Sequence, residues 1–208
     1  MLAQKKKVMM MRRPSRLPSG YRELAYIEAT GEQYIDLDMT DLSRFIVAFA
    51  ATPGGNEATG AIVSASAYQG RFLAVVNEGA RIGLNSSDAS QCFSGITPTE
   101  RNTFDGVITS GGMTVDCGNE TITRTGTNAV RHPALFGMYS ATAGEIRYLV
   151  AGKMFAGQFW QSGTTGDPYR FTVPVERVSD GGAGIYDMIH DVFLGNAGSG
   201  TFGKGPYV

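Results

Sequence analysis

The sequence predicts an all-β chain, a two-sheet antiparallel sandwich, from three observations. β-prone runs recur at roughly ten-residue spacing, each closed by Gly, Asn or Pro, which is the rhythm of sandwich strands and their turns. No window of about twelve residues sustains a 3.6-residue apolar period, so at most a single helical turn fits in a loop. Glycine is abundant, 28 of 208 residues, but follows no fixed period and falls between the runs, while 42% hydrophobic content is ordinary for a chain with a core. A single sandwich commonly runs to roughly 200 residues, so one domain is expected.

In chain order, Leu17-Pro18-Ser19-Gly20 is a turn-rich lead-in, because Pro presets its φ and Gly accepts positive φ. Tyr26-Ile27-Glu28 and Gln33–Leu37 follow, parted by the Thr30-Gly31 breaker, and alternation in the second run makes the pair read as a hairpin. Phe45–Ala50 is nearly continuous in apolar residues and suits a strand covered on both faces. Ala61–Ala65, Phe72–Val76, Ala80–Leu84, Asn102–Ile108, Met113–Asp116 and Glu120–Arg124 succeed it, with a two-residue hairpin turn in Asp116–Asn119. Next come Ala134–Tyr139, Ile146–Val150, Lys153–Gln161 and, after the Asp167-Pro168 turn, Tyr169–Val173. Gly184–Asp187 and Asp191–Leu194 flank a polar link, and Asn196–Gly200 turns the chain into Thr201-Phe202. Strand parity puts Phe155, Gly157 and Phe159 on one face and Met154, Ala156, Gln158 and Trp160 on the other, which sets Trp160 apart from the core phenylalanines.

The two ends carry the most specific patterns. The opening LPSGYRELAYIEATGEQYID, from Leu17 to Asp36, resembles the start of concanavalin A-like (laminin G-like) jelly-roll domains of tailed-bacteriophage structural proteins and gut-bacterial surface or prophage proteins. It fits that pattern at Leu17, Pro18, Gly20, Tyr21, Leu24, Tyr26, Ile27, Glu28, Thr30, Gly31, Gln33, Tyr34, Ile35 and Asp36, and departs at Ala25 and Ala29. The closing segment resembles the same family at Pro174, Arg177, Ser179, Asp180, Gly181, Gly184, Tyr186, Asp187, Phe193, Asn196, Ala197, Gly198, Gly200, Thr201, Phe202, Gly205 and Pro206. The resemblance implies a two-sheet antiparallel jelly-roll sandwich spanning residues 17–208, with its terminal strands close together. Residues 1–16 lie outside it.

That leader is a basic N-terminal arm. It holds Lys5, Lys6, Lys7, Arg12, Arg13 and Arg16 and no acid, leaving 12 of the 18 basic residues in a body with all 19 acids, so a +6 arm precedes a −7 body. Three readings of the arm stand side by side: a solvated tail, a peptide that orders on an acidic protein surface, and a nucleic-acid contact, the last disfavoured because no aromatics interleave the charges. Val8–Met11 is too short for a secretion signal, and no run approaches the ~18 apolar residues of a membrane span. Cys92 and Cys117 make neither a disulfide framework nor a zinc spacing.

No segment supplies a complete catalytic set. Glycosidases of related fold need carboxylates about 5–5.5 Å apart, supplied on a strand by alternating acids; Glu28 and Glu32 flank a turn, and Asp36 and Asp38 lack a third acid. His132 and His190 have no serine elbow or cysteine partner nearby and read as surface histidines. Asp180, Asp187 and Asp191 leave calcium open, although Asp in turns usually bonds its own backbone. No catalytic residue, metal or other cofactor is assigned. Trp160, Tyr139, Tyr148 and Tyr169 are the aromatics best able to stack on a sugar face.

The function expected is therefore a non-enzymatic virion component, a capsid decoration or short fibre made in the host bacterial cytoplasm and displayed on the virion surface. The six arm cations would anchor it to capsid or tail proteins, and it could self-associate. The alternative is a carbohydrate-binding, lectin-like module that adheres to host-surface glycans through the four aromatics. Nucleic acid and membrane are not expected partners.

Overall fold

A computed structural model describes residues 17–52, 59–65, 72–76, 80–84, 91–125, 132–140 and 143–208. Lys5, Lys6, Lys7, Arg12, Arg13 and Arg16 lie outside these described residues.

Among the described residues, eighteen strands run in order as β1 (Tyr21–Glu23), β2 (Ile27–Thr30), β3 (Ile35–Asp36), β4 (Arg44–Ala51), β5 (Thr59–Ser64) and β6 (Phe72–Val76). They continue as β7 (Arg81–Leu84), β8 (Asn102–Thr109), β9 (Gly112–Cys117), β10 (Glu120–Thr125), β11 (Ala134–Leu135) and β12 (Met138–Ser140). The last six are β13 (Glu145–Arg147), β14 (Ala151–Trp160), β15 (Arg170–Arg177), β16 (Ala183–Asp187), β17 (Val192–Leu194) and β18 (Gly203–Lys204). No α-helix occurs among the described residues.

The pairing is antiparallel throughout. An 11-stranded sheet runs β10-β9-β8-β4-β14-β15-β16-β17, with β1 on β15, β2 on β14 and β18 on β2. A 5-stranded sheet, β3-β11-β5-β6-β7, and the β12–β13 pair make up the rest. The main core joins Phe45, Val47, Phe49, Phe104 and Phe159 of the large sheet to Val63, Leu73, Val75, Ile82 and Leu84 of the smaller one. Phe45, Phe49, Phe104 and Phe159 are fully buried, each worth about 1.5–3 kcal/mol of transfer energy. The first and last described strands come together: β1 pairs with β15, β18 with β2, and Leu24 bridges Tyr207.

Several expectations need correction. The two runs of the opening segment do not form a hairpin. Gly31, at φ 97°, turns the chain between sheets, so β2 bonds to β14 and β18 while β3 bonds to β11. Ala134–Tyr139 is not one strand, because Phe136 adopts φ 63° and β11 and β12 lie in different sheets. The Ile146–Val150 run ends at Arg147, where Tyr148 takes φ 53°. Parity along β14 fails at one end: the register shifts between Met154 and Ala156, as a β-bulge does. Met154 therefore enters the core, while Phe155 packs on the Tyr26 ring at 5.6 Å.

β15 runs past Val173 through Pro174 to Arg177. Proline is tolerated there because its carbonyl faces Leu24, accepting that amide at 3.0 Å. Its ring nitrogen shares that side of the strand and so removes no bond from the β16 ladder. The hairpin in Asp116–Asn119 is present, with Cys117 opposite Glu120 and Gly118-Asn119 as its two-residue loop.

Candidate functional site

β13, the Tyr148-Leu149 segment that follows it and the Thr30–Glu32 turn line an open groove of about 680 Å³, with Thr30, Gly31, Glu32, Glu145, Arg147 and Tyr148 among its residues. Local chemistry builds each wall. Gln33 Oε1 accepts the Thr30 amide at 2.7 Å and holds the turn shut. Gly137 lies so close under the β12–β13 hairpin that an added Cβ would sit 2.6 Å from Ile146 Cγ2. Arg147 and Glu145 pair at 2.9 Å on the rim with side chains 58% and 60% exposed, an arrangement contributing at most about 1 kcal/mol and leaving both groups accessible. Two carboxylates, a guanidinium, a threonine hydroxyl and one aromatic ring give the groove donors and acceptors suited to a polyhydroxylated ligand.

Of the four aromatics singled out for glycan contact, the structure brings Tyr148 and Tyr139 to this hairpin. Tyr148 lines the groove, and half-buried Tyr139 lies opposite Ile146 on β12, its ring 4.4 Å from that of His132. Trp160 and Tyr169 sit apart from it. Trp160 is only 3% exposed, donates its indole N–H to the Gly166 carbonyl at 3.1 Å and lies under the Arg44 guanidinium at 4.8 Å. It stands outside the main core cluster as parity suggests, but it is covered and offers no free ring face. Tyr169 is 37% exposed and its ring lies tilted against that of His190, 4.5 Å away.

A second constellation lies at the start of β15. Asp187, fully buried on β16, accepts from Arg170 Nη1 at 2.8 Å and from the Ile189 amide at 3.0 Å, and it lies 2.8 Å from His190 Nδ1. Arg170, 4% exposed, also donates to the Asp38 carbonyl at 2.9 Å. A histidine held by a buried carboxylate is the base half of a nucleophilic site. His190 hydrogen-bonds Asp187 and packs its ring against that of Tyr169 at 4.5 Å, and through Arg170 the arrangement ties the Asp38 loop to β15 and β16. Nothing in the sequence pattern marks Arg170 as the partner of Asp187, and the Asp187–His190 contact joins two residues that the sequence reading took separately.

The three aspartates considered for calcium are separately engaged. Asp180 pairs with Arg177 at 2.5 Å and accepts the Gly182 amide at 2.9 Å. Asp187 is enclosed as described, and Asp191 meets the Tyr186 hydroxyl at 3.5 Å. Among the described residues no cluster of three or more His, Cys, Asp or Glu side chains is placed to hold a metal ion. No family model, curated protein or solved structure matches the chain.

Proposed function

We propose that this chain is a non-enzymatic structural component of a tailed-bacteriophage particle, a capsid decoration or short fibre that displays a concanavalin A-like jelly roll on the virion surface. The supporting observation is how the terminal-motif residues are engaged. Asn196 caps its own turn and binds the Tyr34 amide, Asp180 braces Arg177, and the Pro206 carbonyl accepts from Ala25 at 2.8 Å. Gly184 packs so closely that an added Cβ would lie 2.5 Å from the Leu194 carbonyl oxygen. Apart from Thr30 and Gly31, these motif residues do not line the groove. They close a scaffold, which is the property a displayed module needs. The basic arm attaches the scaffold to other virion proteins. Reversing Lys5, Lys6, Lys7, Arg12, Arg13 and Arg16 to Glu should leave a folded domain that no longer cosediments with particles; undiminished incorporation would sink the reading.

The groove favours a second role within the same protein, adhesion to host-surface glycans through Tyr148, with Tyr139 beside it on the hairpin. A glycan array is its test: binding at micromolar protein should be lost in Tyr148→Ala, and no binding with or without calcium removes the role.

A further inference from the structure

The large sheet has a second face that the main core does not use. In register, Ile46 stands beside Gln158 and Gln158 beside Phe171, while Ala48 stands beside Ala156. Alternation turns these away from Phe45, Val47, Phe49 and Phe159, which occupy the core. The strip is nevertheless buried: Ile46 is 3% exposed, Ala48 0%, Ala50 4% and Gln158 1%. None of the four belongs to a hydrophobic cluster of the described residues. Both Nε2 and Oε1 of Gln158 are buried without a hydrogen-bond partner. A buried primary amide left unpaired is destabilising. Its natural complement is an extended segment with free backbone N–H and C=O groups.

We propose that this outer face is the docking surface for residues 1–16 of the same chain. Leu17, where the described chain begins, packs on the cluster of Phe171, Val173, Val175 and Tyr186, next to Gln158. The apolar run Val8–Met11 ends six residues before Leu17, a reach of about 20 Å at roughly 3.3 Å per residue. From β15 across β14 to β4 is two strand spacings, about 10 Å. Methionine suits an uneven strip of Ala and Ile because its flexible thioether fills irregular gaps. The charges agree as well, since a +6 arm meets a −7 body. Docked this way, Val8–Met11 seals the sheet, and the cations on either side of it, Lys5–Lys7 and Arg12–Arg16, stay at the margins. The docking stands whether or not the chain belongs to a particle, because it concerns the isolated protein.

The test is photocrosslinking in the full-length chain with p-benzoylphenylalanine in place of Met10, using a mixture of isotopically labelled and unlabelled protein. The docking predicts crosslinks within one chain, to peptides from β4, β14 or β15. Crosslinks joining labelled to unlabelled chains would assign the face to a second copy, and crosslinks to the smaller sheet, or none from folded protein, would likewise overturn it. Replacing the neighbours with Val8→Asp, Met9→Asp and Met11→Asp alters no residue of the described fold. It should lower the crosslink yield at least fivefold, and an unchanged yield contradicts the docking. Loss of particle binding in the charge-reversed variant, with crosslinks intact, would separate the two roles of the arm.

Discussion

Tyr34 donates its amide hydrogen to Asn196 Oδ1 at 3.2 Å, joining residues 162 apart in the chain. The same side chain accepts the Gly198 amide at 2.9 Å and donates through Nδ2 to the Ser199 and Gly200 carbonyls at 3.0 Å. The backbone reinforces the stitch, with Ala197 N–H bound to Tyr34 O and Ser199 N–H to Glu32 O. Asn196→Ala should cost about 1–3 kcal/mol, since the side chain leaves several backbone groups without partners. Thermal unfolding should show it as a Tm lower by about 2–4 °C per kcal/mol lost; no change would mean the turn holds itself.

The Arg170–Asp187 pair is the most deeply buried ionic contact described, with side chains 4% and 0% exposed. Asp187→Ala leaves the buried guanidinium only the Asp38 carbonyl at 2.9 Å and the exposed Asp38 carboxylate at 3.5 Å and should destabilise by about 3 kcal/mol, whereas a paired Arg170→Met, Asp187→Leu replacement should recover most of that loss. Denaturant titrations of the three proteins decide it, and equal stabilities would show the pair to be idle.

Much of this fold is legible in the sequence because alternation and glycine punctuation are local. β4, β6, β8 and the β9–β10 hairpin fall within a residue or so of the runs that announce them. What escapes is decided by partners elsewhere. The Thr30-Gly31 break looks like a hairpin turn, yet the hydrogen bonds of β2 are claimed by β14 and β18, so the chain crosses to the other sheet instead. The bulge at Phe155 reverses the faces of Met154 and Phe155, and no residue type there signals it. At the groove, Tyr148 could be singled out as an aromatic, but Glu32, Glu145 and Arg147 are brought to it by the fold alone. Trp160 was misleading for a physical reason: parity reports only which side of a strand a residue takes, and says nothing of what covers that side.

The two thiols should differ. Burial pushes the Cys117 thiol up to about 11, with Glu120 adding to the rise, whereas Cys92 is half-buried and lines a hollow of about 400 Å³ with Arg81 and Phe93. Native protein at pH 8 should therefore react with an aromatic disulfide reagent at Cys92 well before Cys117, because the thiolate is the reactive form. Peptide mapping that finds Cys117 labelled first would contradict the packing of β9.

Asp180 should titrate low. The Arg177 guanidinium, helped by the Gly182 amide, holds its carboxyl at about 2 against an ordinary 3.8. A depressed folded value contributes stability that is fully present above about pH 4 and disappears as the pH falls through about 2. NMR titration of the carboxyl should find this, and Arg177→Gln should move the midpoint up toward 3.8; an ordinary midpoint in the unaltered protein would show the pair to be broken in solution.

The most direct measurement of the central claim is electron cryomicroscopy of phage particles assembled with this chain and with the chain whose six arm cations are reversed. A discrete β-sandwich density is expected at a capsomer or on the tail in the first sample and is lost in the second. Particles lacking that density in both samples, with the protein left free in the lysate, would contradict it.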